Sequence, residues 1–358
     1  MTMMTLLSSE STIQYIKDVF SVLAIPRGCE YRFRYDKQYI VRELLADFSD
    51  SKKMVGKKVL IAFRSANTAS KENSFIIPIR WGTIKRINSI TNGYTIDFIV
   101  EDYPNYTQEF RNACSSFSQL NQMGIQSLYS TDGMVDYAVW NGILPFVDPK
   151  SVSNPERDNE FWTQIVSAIT MIPAYSQMLF IRCSNFYTET IDNENTVLSK
   201  ECNKNERFYE LVEGQCSYVD IDYYSKAYDK GINREIKAFI DDNIVSKAKG
   251  LRTVIESRYG KITIGFQPHK VQNRTISEIV FSSMSDKENE LSTDITYPII
   301  IIKDKTYKIK KSMMMILGAI LVALPGIIGD ALHILWNIGF AVSGAIVLGI
   351  NTYLESKE

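Results

Sequence analysis

The stretch RGCEYRFRYDKQY, residues 27–39, indicates how the N-terminal part of the chain folds. Successive side chains of a β-strand point to opposite faces, so Arg32 and Arg34 share one face and the neighbouring aromatic residues share the other. We expect the aromatic rings to fill the interior of a small sheet structure and the guanidinium groups to project outward. The stretch therefore predicts a strand with one buried face and one solvated face.

The residues from Cys29 to Tyr103 continue this pattern and predict a compact β-domain. Four more segments are rich in β-branched and aromatic residues, as strands are. They are KVLIAFR at 58–64, FIIPIRW at 75–81, TIKRI at 83–87 and YTIDFIV at 94–100. The Asn92-Gly93 pair before the last segment is a strong hairpin signal. Five strands in this length predict a small barrel of SH3-like or OB-like kind within residues 1–105.

The predicted barrel is basic, although the net charge of the 358-residue chain is -1. Residues 27–86 contain 14 Lys and Arg against 6 Asp and Glu, a local charge of +8. Small barrels that bind single strands or nucleotides combine such a cationic groove with aromatic side chains. The candidate ligand-binding residues are Arg32, Arg34, Arg80, Lys85 and Arg86. The alternative is a basic face that keeps the barrel soluble or rests on anionic lipid headgroups.

A helical or irregular connection is predicted at 106–150, and a second, β-rich domain at 151–311. The segment NPERDNEFWTQIVSAI predicts an opening helix, since Asn154 can cap it and Pro155 suits the first helical position. Several apolar strand candidates follow, with one further helix predicted at 233–244. The predicted fold class is α+β, mainly β, with a small N-terminal barrel, a sandwich-like second domain and a C-terminal transmembrane hairpin.

That hairpin is predicted at 312–350, where 39 residues carry a single formal charge. One continuous helix would be about 58 Å long, nearly twice the roughly 30 Å hydrocarbon core of a bilayer. A break at PGIIGD, residues 325–330, would give two transmembrane arms. Lysines crowd the N-terminal flank, which predicts that the domains and both termini lie in the cytoplasm. A buried hairpin in a protein core is the alternative.

The second arm carries a polar and small stripe. At about 100° per helical residue, Asp330, His333 and Asn337 fall within an arc of roughly 60°, and Ala341 and Gly344 lie close to it. Polar groups facing lipid are costly, so several copies of the hairpin could turn this stripe towards a pore in a homo-oligomer. The alternative is that Asp330 caps the helix and His333 lies at the membrane interface.

Catalytic motifs are weak, and we expect no enzyme and no cofactor or metal. The chain has two histidines, and it has neither a phosphate-binding glycine loop nor a serine nucleophile motif. Asp220 and Asp222 share one face of a predicted strand, as a two-metal nucleotidyl-transfer site requires. A tethered nucleotidyltransferase-like enzyme is therefore one hypothesis, and a solvated strand face is the other.

The order of domains and the hairpin resemble the two-helix membrane effectors of bacterial anti-phage systems, of CBASS type and Hailong type. The resemblance implies a cytoplasmic sensor of a nucleotide or oligonucleotide signal, made by a partner nucleotide-synthesising enzyme, joined to a pore or membrane disruptor. It also implies localisation in the bacterial inner membrane, with membrane lipid and other copies of the chain as further partners. The alternative is a membrane-tethered scaffold or binding module without pore activity.

Overall fold

The computed structural model describes most of the chain up to residue 303. The described residues are 4–9, 13–65, 75–113, 129–130, 133–134, 138–144, 147, 157–191, 197–201, 209–226, 228, 234–241, 245–249, 251–269, 275–285, 294–303, 313, 315–317, 319–320 and 343.

Eight strands lie in the described part of residues 1–150. They are β1 Met4–Ser9, β2 Glu30–Asp36, β3 Lys58–Ser65, β4 Phe75–Ile90, β5 Gly93–Val100, β6 Tyr129–Ser130, β7 Gly133–Met134 and β8 Val139–Asn141. Six of them form one sheet in the order β2-β5-β4-β3-β1-β8, and β6 pairs with β7. β1 runs parallel to β3, whereas the other pairs in the sheet are antiparallel.

The two ends of this sheet meet and close it into a small barrel. Ile40, shortly after β2, forms a parallel bridge with Val139 of β8. The backbone N–H of Val41 donates to the carbonyl of Val139 at 3.1 Å, and that of Ala138 donates to Tyr39 at 2.9 Å. Closure leaves few unpaired edge groups, which is how small all-β domains protect their sheets.

β4 is a single bent strand, where the sequence predicted two. Its first half pairs with β3 and its second half with β5, and the register shifts at Ile79 and at Lys85. Bulges of this kind bend a strand and increase its twist. Gly82 lies where the pairing changes from β3 to β5, and a Cβ there would lie 3.1 Å from the carbonyl oxygen of Ile99.

The alternation predicted for β2 is confirmed. Phe33 and Tyr35 are buried, whereas Arg32 and Arg34 are exposed. The Phe33 ring meets Phe98 of β5 edge to face, with the ring centroids 5.2 Å apart. Aromatic side chains from adjacent strands therefore build the barrel core.

Four α-helices have defined bounds in the described residues: α1 Ile13–Ala24, α2 Arg42–Ser49, α3 Gln108–Ala113 and α4 Asp158–Ile169. The described residues 313, 315–317, 319–320 and 343 are also helical. The helix predicted from NPERDNEFWTQIVSAI corresponds to α4. α1 and α4 are both amphipathic, and α4 buries Trp162 and Ile165.

In the described residues after α4, ten strands form two five-stranded sheets. They are β9 Leu179–Ile191, β10 Val197–Glu201, β11 Tyr209–Val212, β12 Ser217–Ser225, β13 Arg234–Ile240, β14 Val245–Lys249, β15 Arg252–Val254, β16 Tyr259–Pro268, β17 Thr275–Ser285 and β18 Asp294–Ile302. The orders are β10-β9-β12-β16-β14 and β11-β18-β17-β13-β15. Phe186 of the first sheet meets Tyr209 of the second, with the ring centroids 4.5 Å apart. The two sheets therefore pack face to face as a β-sandwich.

The helix predicted at 233–244 is wrong, because Arg234–Ile240 is strand β13. Ile236 and Ala238 are buried, whereas Phe239 is exposed, an alternation with the two-residue period of a strand. The strand pairs with β17 along its whole length. This pairing outweighs the local helix propensity and makes the segment a strand.

α1 joins the barrel to the sandwich. The Phe20 ring lies 5.9 Å from Phe63 of β3 and 5.3 Å from Phe180 of β9, between centroids. Tyr297 of β18 donates its hydroxyl to the carbonyl of Ala24 at 3.3 Å. The buried apolar residues of both parts form one cluster, so the barrel and the sandwich share a core through α1.

The prediction of a C-terminal transmembrane hairpin is contradicted. In the part of the chain that the structure describes, no helix is long and apolar enough to cross a bilayer. The first predicted arm, 312–325, would be only about 21 Å long as a helix, shorter than the roughly 30 Å hydrocarbon core. This finding contradicts three predictions: the transmembrane part of the fold class, the membrane-protein assignment and the inner-membrane localisation. Most of 312–350 lies outside the described residues.

Candidate functional site

Three charged side chains stand in register on the outer face of the barrel. Arg32 of β2 and Arg86 of β4 both pair with Asp97 of β5, which lies between them in the sheet. Only 1% of the Asp97 side chain is exposed, against 57% of Arg32 and 47% of Arg86. A buried carboxylate thus lies beneath two guanidinium groups that face solvent.

Asp97 holds both guanidinium groups through paired hydrogen bonds. Arg32 donates from Nε and Nη2 to the two oxygens of Asp97, with Nη2 at 3.0 Å from Oδ2. Arg86 donates from Nε and Nη2 to Oδ2, at 2.8 and 2.6 Å. Burial acts to raise the pKa of Asp97, but the hydrogen bonds and charges of the two arginines outweigh it and lower that pKa. The carboxylate stays ionised and fixes both cations side by side.

Arg34 and Lys85 lie beside this cluster but differ in their partners. Arg34 is 68% exposed, and its Nη2 is 3.9 Å from the carboxylate of Asp36. Lys85 donates from Nζ to Glu30 at 3.1 Å, a short contact with a largely buried carboxylate. The predicted residues Arg32, Arg34, Lys85 and Arg86 are therefore brought together, and we call them the arginine face.

The arginine face is far less charged than the sequence count indicates. Its four cations stand beside the carboxylates of Glu30, Asp36 and Asp97, which leaves a net charge of +1. The local excess of +8 in the sequence omits Asp97, because that residue lies beyond position 86. The three arginines are thus the main cations presented to a ligand.

Arg80 does not belong to this face. It is 2% exposed, its Nε donates to the carbonyl of Glu101, and its Cζ lies 3.6 Å from the Tyr103 ring centroid. The Cζ of Arg182, in the sandwich, is 5.4 Å from the same ring. The bulge at Ile79 shifts the alternation along β4, which places Arg80 inside, at the boundary between barrel and sandwich.

The arginine face has no aromatic platform among the described strands. The aromatic residues of β2 and the Tyr94 and Phe98 rings of β5 lie on the interior face. Base stacking needs an exposed ring, so this surface offers contacts to phosphate rather than to bases.

Asp220 and Asp222 lie on β12, each already engaged. Asp222 accepts from Nε and Nη2 of Arg182 at 3.0 and 2.9 Å. Asp220 accepts from Thr263 Oγ1 at 2.7 Å, and its other oxygen lies 3.7 Å from Lys261 Nζ. Among the residues that the structure describes, no group of three His, Cys, Asp or Glu side chains could hold a metal ion. The two carboxylates therefore lack the third acidic ligand that would support a two-metal site.

The predicted pore-lining residues Asp330, His333, Asn337, Ala341 and Gly344 lie outside the described residues. Asp97 is the functional residue that the sequence reasoning missed. The Asn92-Gly93 turn contained the signal, because a tight β4–β5 hairpin at that point places Asp97 opposite Arg86.

The fold and the site define a mainly β protein, a barrel fused to a sandwich, with a clamped pair of arginines on its surface. No protein family and no curated protein matches the chain. Among solved structures, a nucleoside hydrolase-related hypothetical protein from Saccharophagus degradans is similar, with 10% identity and a TM-score of 0.19. The match covers 44% of this chain and 34% of that one, and at this TM-score it carries no argument about fold or function. The resemblance to two-helix effectors stays a prediction.

Proposed function

We propose that the chain is a non-catalytic binding module whose barrel holds the phosphate groups of a nucleotide or a single-stranded oligonucleotide. The observation that supports this proposal is the Asp97 clamp, which fixes Arg32 and Arg86 next to each other on an exposed face.

The clamp leaves donors available for a ligand. A guanidinium group has five N–H donors in a planar fork that matches phosphate oxygens. Asp97 engages Nε and Nη2 of each arginine, so Nη1 of Arg32 and of Arg86 remain for another acceptor. Because the two side chains are already ordered, binding costs less conformational entropy than it would with free arginines.

The spacing of the arginines favours a ligand with more than one phosphate. Arg32 and Arg34 are two residues apart on one strand face, so their Cα atoms are about 6.7 Å apart. One phosphate can contact the Arg32 and Arg86 pair while the next contacts Arg34. Without an aromatic platform on this face, we expect binding to depend little on base identity.

A scaffold that binds no nucleotide is the second candidate. The near balance of charge on the arginine face favours it, since Glu30, Asp36 and Asp97 offset most of the positive charge. In that case the ion pairs serve only to stabilise the outer surface of the barrel.

Fluorescence anisotropy with a labelled oligothymidylate, and with labelled ATP as a second probe, separates the two candidates. The double variant Arg32→Gln/Arg34→Gln should weaken oligothymidylate binding by about tenfold per lost phosphate contact, the equivalent of about 1.4 kcal/mol each. Arg86 still covers Asp97 in that variant, so the barrel keeps its ion pair.

The matched control is Lys52→Gln/Lys53→Gln, two exposed cations of the same barrel that lie outside the arginine face. This control should bind within about twofold of the parent. The scaffold function is supported if the parent binds neither probe, or if both double variants weaken binding equally.

A further inference from the structure

Two tyrosines form a stacked pair on the outer face of the sandwich. Tyr187 of β9 and Tyr218 of β12 are partners in register, with ring centroids 5.4 Å apart and 22° between the ring planes. Both side chains are partly exposed, whereas the neighbouring Phe186 and Val219 point into the sandwich core. The aromatic surface is therefore outside the apolar core and is available to solvent.

A glycine extends this aromatic surface. Gly265 of β16 is the register partner of Tyr218, and a Cβ there would lie 3.0 Å from Cε1 of the Tyr218 ring. Any larger residue would press against the ring. Since Gly265 has no side chain, the Tyr218 ring can lie over this position of β16 while remaining partly exposed.

A row of polar groups crosses the same three strands directly beside the rings. Asn185 of β9, Asp220 of β12 and Thr263 of β16 are partners in register. Thr263 donates to Asp220 at 2.7 Å, and Lys261 lies 3.7 Å from the other oxygen of that carboxylate. The row presents an amide, a carboxylate, a hydroxyl and an ammonium group, so it can both donate and accept hydrogen bonds.

The charge of the described side chains around the rings disfavours a phosphate ligand. Burial and the charges of Asp220 and Glu189 raise the pKa of Tyr187, and burial together with Glu189 raises that of Tyr218. Two carboxylates beside one lysine make this surface acidic, unlike the arginine face. A neutral ligand with many hydroxyl groups fits it better than an anion does.

We infer that this face of the sandwich binds a carbohydrate, with Tyr187 and Tyr218 as its stacking surface. The C–H face of a pyranose ring packs against an aromatic π-face, and its hydroxyl groups reach the adjacent polar row. The side chains of Asn185 and Thr263 can accept from sugar hydroxyls, while Lys261 and the Asn185 amide donate to them. This site lies in a different part of the fold from the arginine face and is independent of the function proposed there.

Affinity electrophoresis in native gels tests the inference with the full chain. The gels contain hydroxyethylcellulose, xylan, laminarin or soluble starch, and a gel without polysaccharide is the reference. The parent should be retarded in at least one of the four, and Tyr218→Ala should remove the retardation. Tyr218→Phe keeps the ring and should remain retarded, which shows that the ring and not the hydroxyl group is required. Tyr218→Ala should migrate like the parent in the reference gel, which shows that its loss of retardation is not a folding defect.

Tyr259→Ala provides the matched control, because Tyr259 is a strongly exposed tyrosine at the other end of β16. It should migrate like the parent in every gel. The inference is overturned if the parent is retarded in none of the four gels, or if Tyr259→Ala loses as much retardation as Tyr218→Ala. It is also overturned if Tyr218→Ala abolishes binding of ATP or of a labelled polyproline peptide instead of a polysaccharide.

Discussion

Removing Asp97 and removing its two arginines should have unequal costs for barrel stability. Asp97→Asn keeps the shape of the side chain but deletes the charge that holds Arg32 and Arg86. The arginines are about half exposed, so water can replace the lost carboxylate. In the converse variant, Arg32→Met/Arg86→Met, a nearly fully buried carboxylate is left without either cation.

The burial of Asp97 and the exposure of its arginines determine how much the two variants differ in free energy of unfolding. Hydrogen bonds to charged groups contribute about 1.5–3 kcal/mol each when buried, and solvent screening of the exposed arginines reduces the total for Asp97→Asn to about 1–2 kcal/mol. Leaving a buried charge unpaired costs about 3–5 kcal/mol. The double arginine variant should therefore be the less stable protein by about 2 kcal/mol at neutral pH.

The pH dependence of stability should also differ between the parent and the double arginine variant. The lowered pKa of Asp97 contributes stability above its unfolded value of 3.8, and this stability is lost as the pH falls through the still lower folded value. Without the arginines, burial alone acts on the carboxyl group and raises its pKa, so the variant regains stability as the pH falls from about 7 towards about 5.

Urea denaturation followed by tryptophan fluorescence, at about pH 7 and about pH 5, measures both effects. The account is refuted if the double arginine variant is as stable as Asp97→Asn at neutral pH. It is also refuted if acidification fails to narrow the gap between that variant and the parent.

Two further substitutions test packing at the hairpin and at the boundary between barrel and sandwich. Gly93→Ala should destabilise the protein by about 1–3 kcal/mol, because its Cβ would clash with the backbone carbonyl oxygen of Tyr35; an unchanged urea midpoint would contradict this. Arg182→Met should cost about 3–5 kcal/mol, because it removes the arginine that donates two hydrogen bonds to Oδ2 of the buried Asp222 carboxylate. Arg182 also packs on the Trp162 ring, so the fluorescence of the native state should change; a loss below about 1 kcal/mol would contradict the assignment.

Local patterns predicted several elements well. The alternation in residues 31–35 and the Asn92-Gly93 turn correctly indicated β2 and the start of β5, because both signals depend on neighbouring residues alone. β1 was missed, since MTLLSS is short and becomes a strand by pairing with the distant strands β3 and β8. β8, at 139–141, likewise depends on its distant partner β1.

The candidate site also has some features that local patterns predict and others that depend on pairing between strands. The exposed face of Arg32 and Arg34 follows from strand alternation, whereas the position of Arg80 depends on a bulge that no local pattern reveals. Asp97 could have been found only by setting the register of the hairpin first. The hairpin prediction at 312–350 is contradicted, because no helix in the described part of the chain is long and apolar enough to cross a bilayer. It was based on hydropathy, which counts apolar residues and does not set the length of a helix.

The salt dependence of oligothymidylate binding tests the central claim most directly. If Arg32, Arg34 and Arg86 supply the phosphate contacts, log K should fall with log salt with a slope of about -2, a loss of about 20-fold between about 50 and about 200 mM. A ligand that used the whole sequence excess of +8 would give a slope of about -5.6 and a loss of about 2000-fold. The account predicts the slope of about -2 for the parent and a slope closer to zero for Arg32→Gln/Arg34→Gln. A slope near zero, or the same slope in parent and variant, would contradict it.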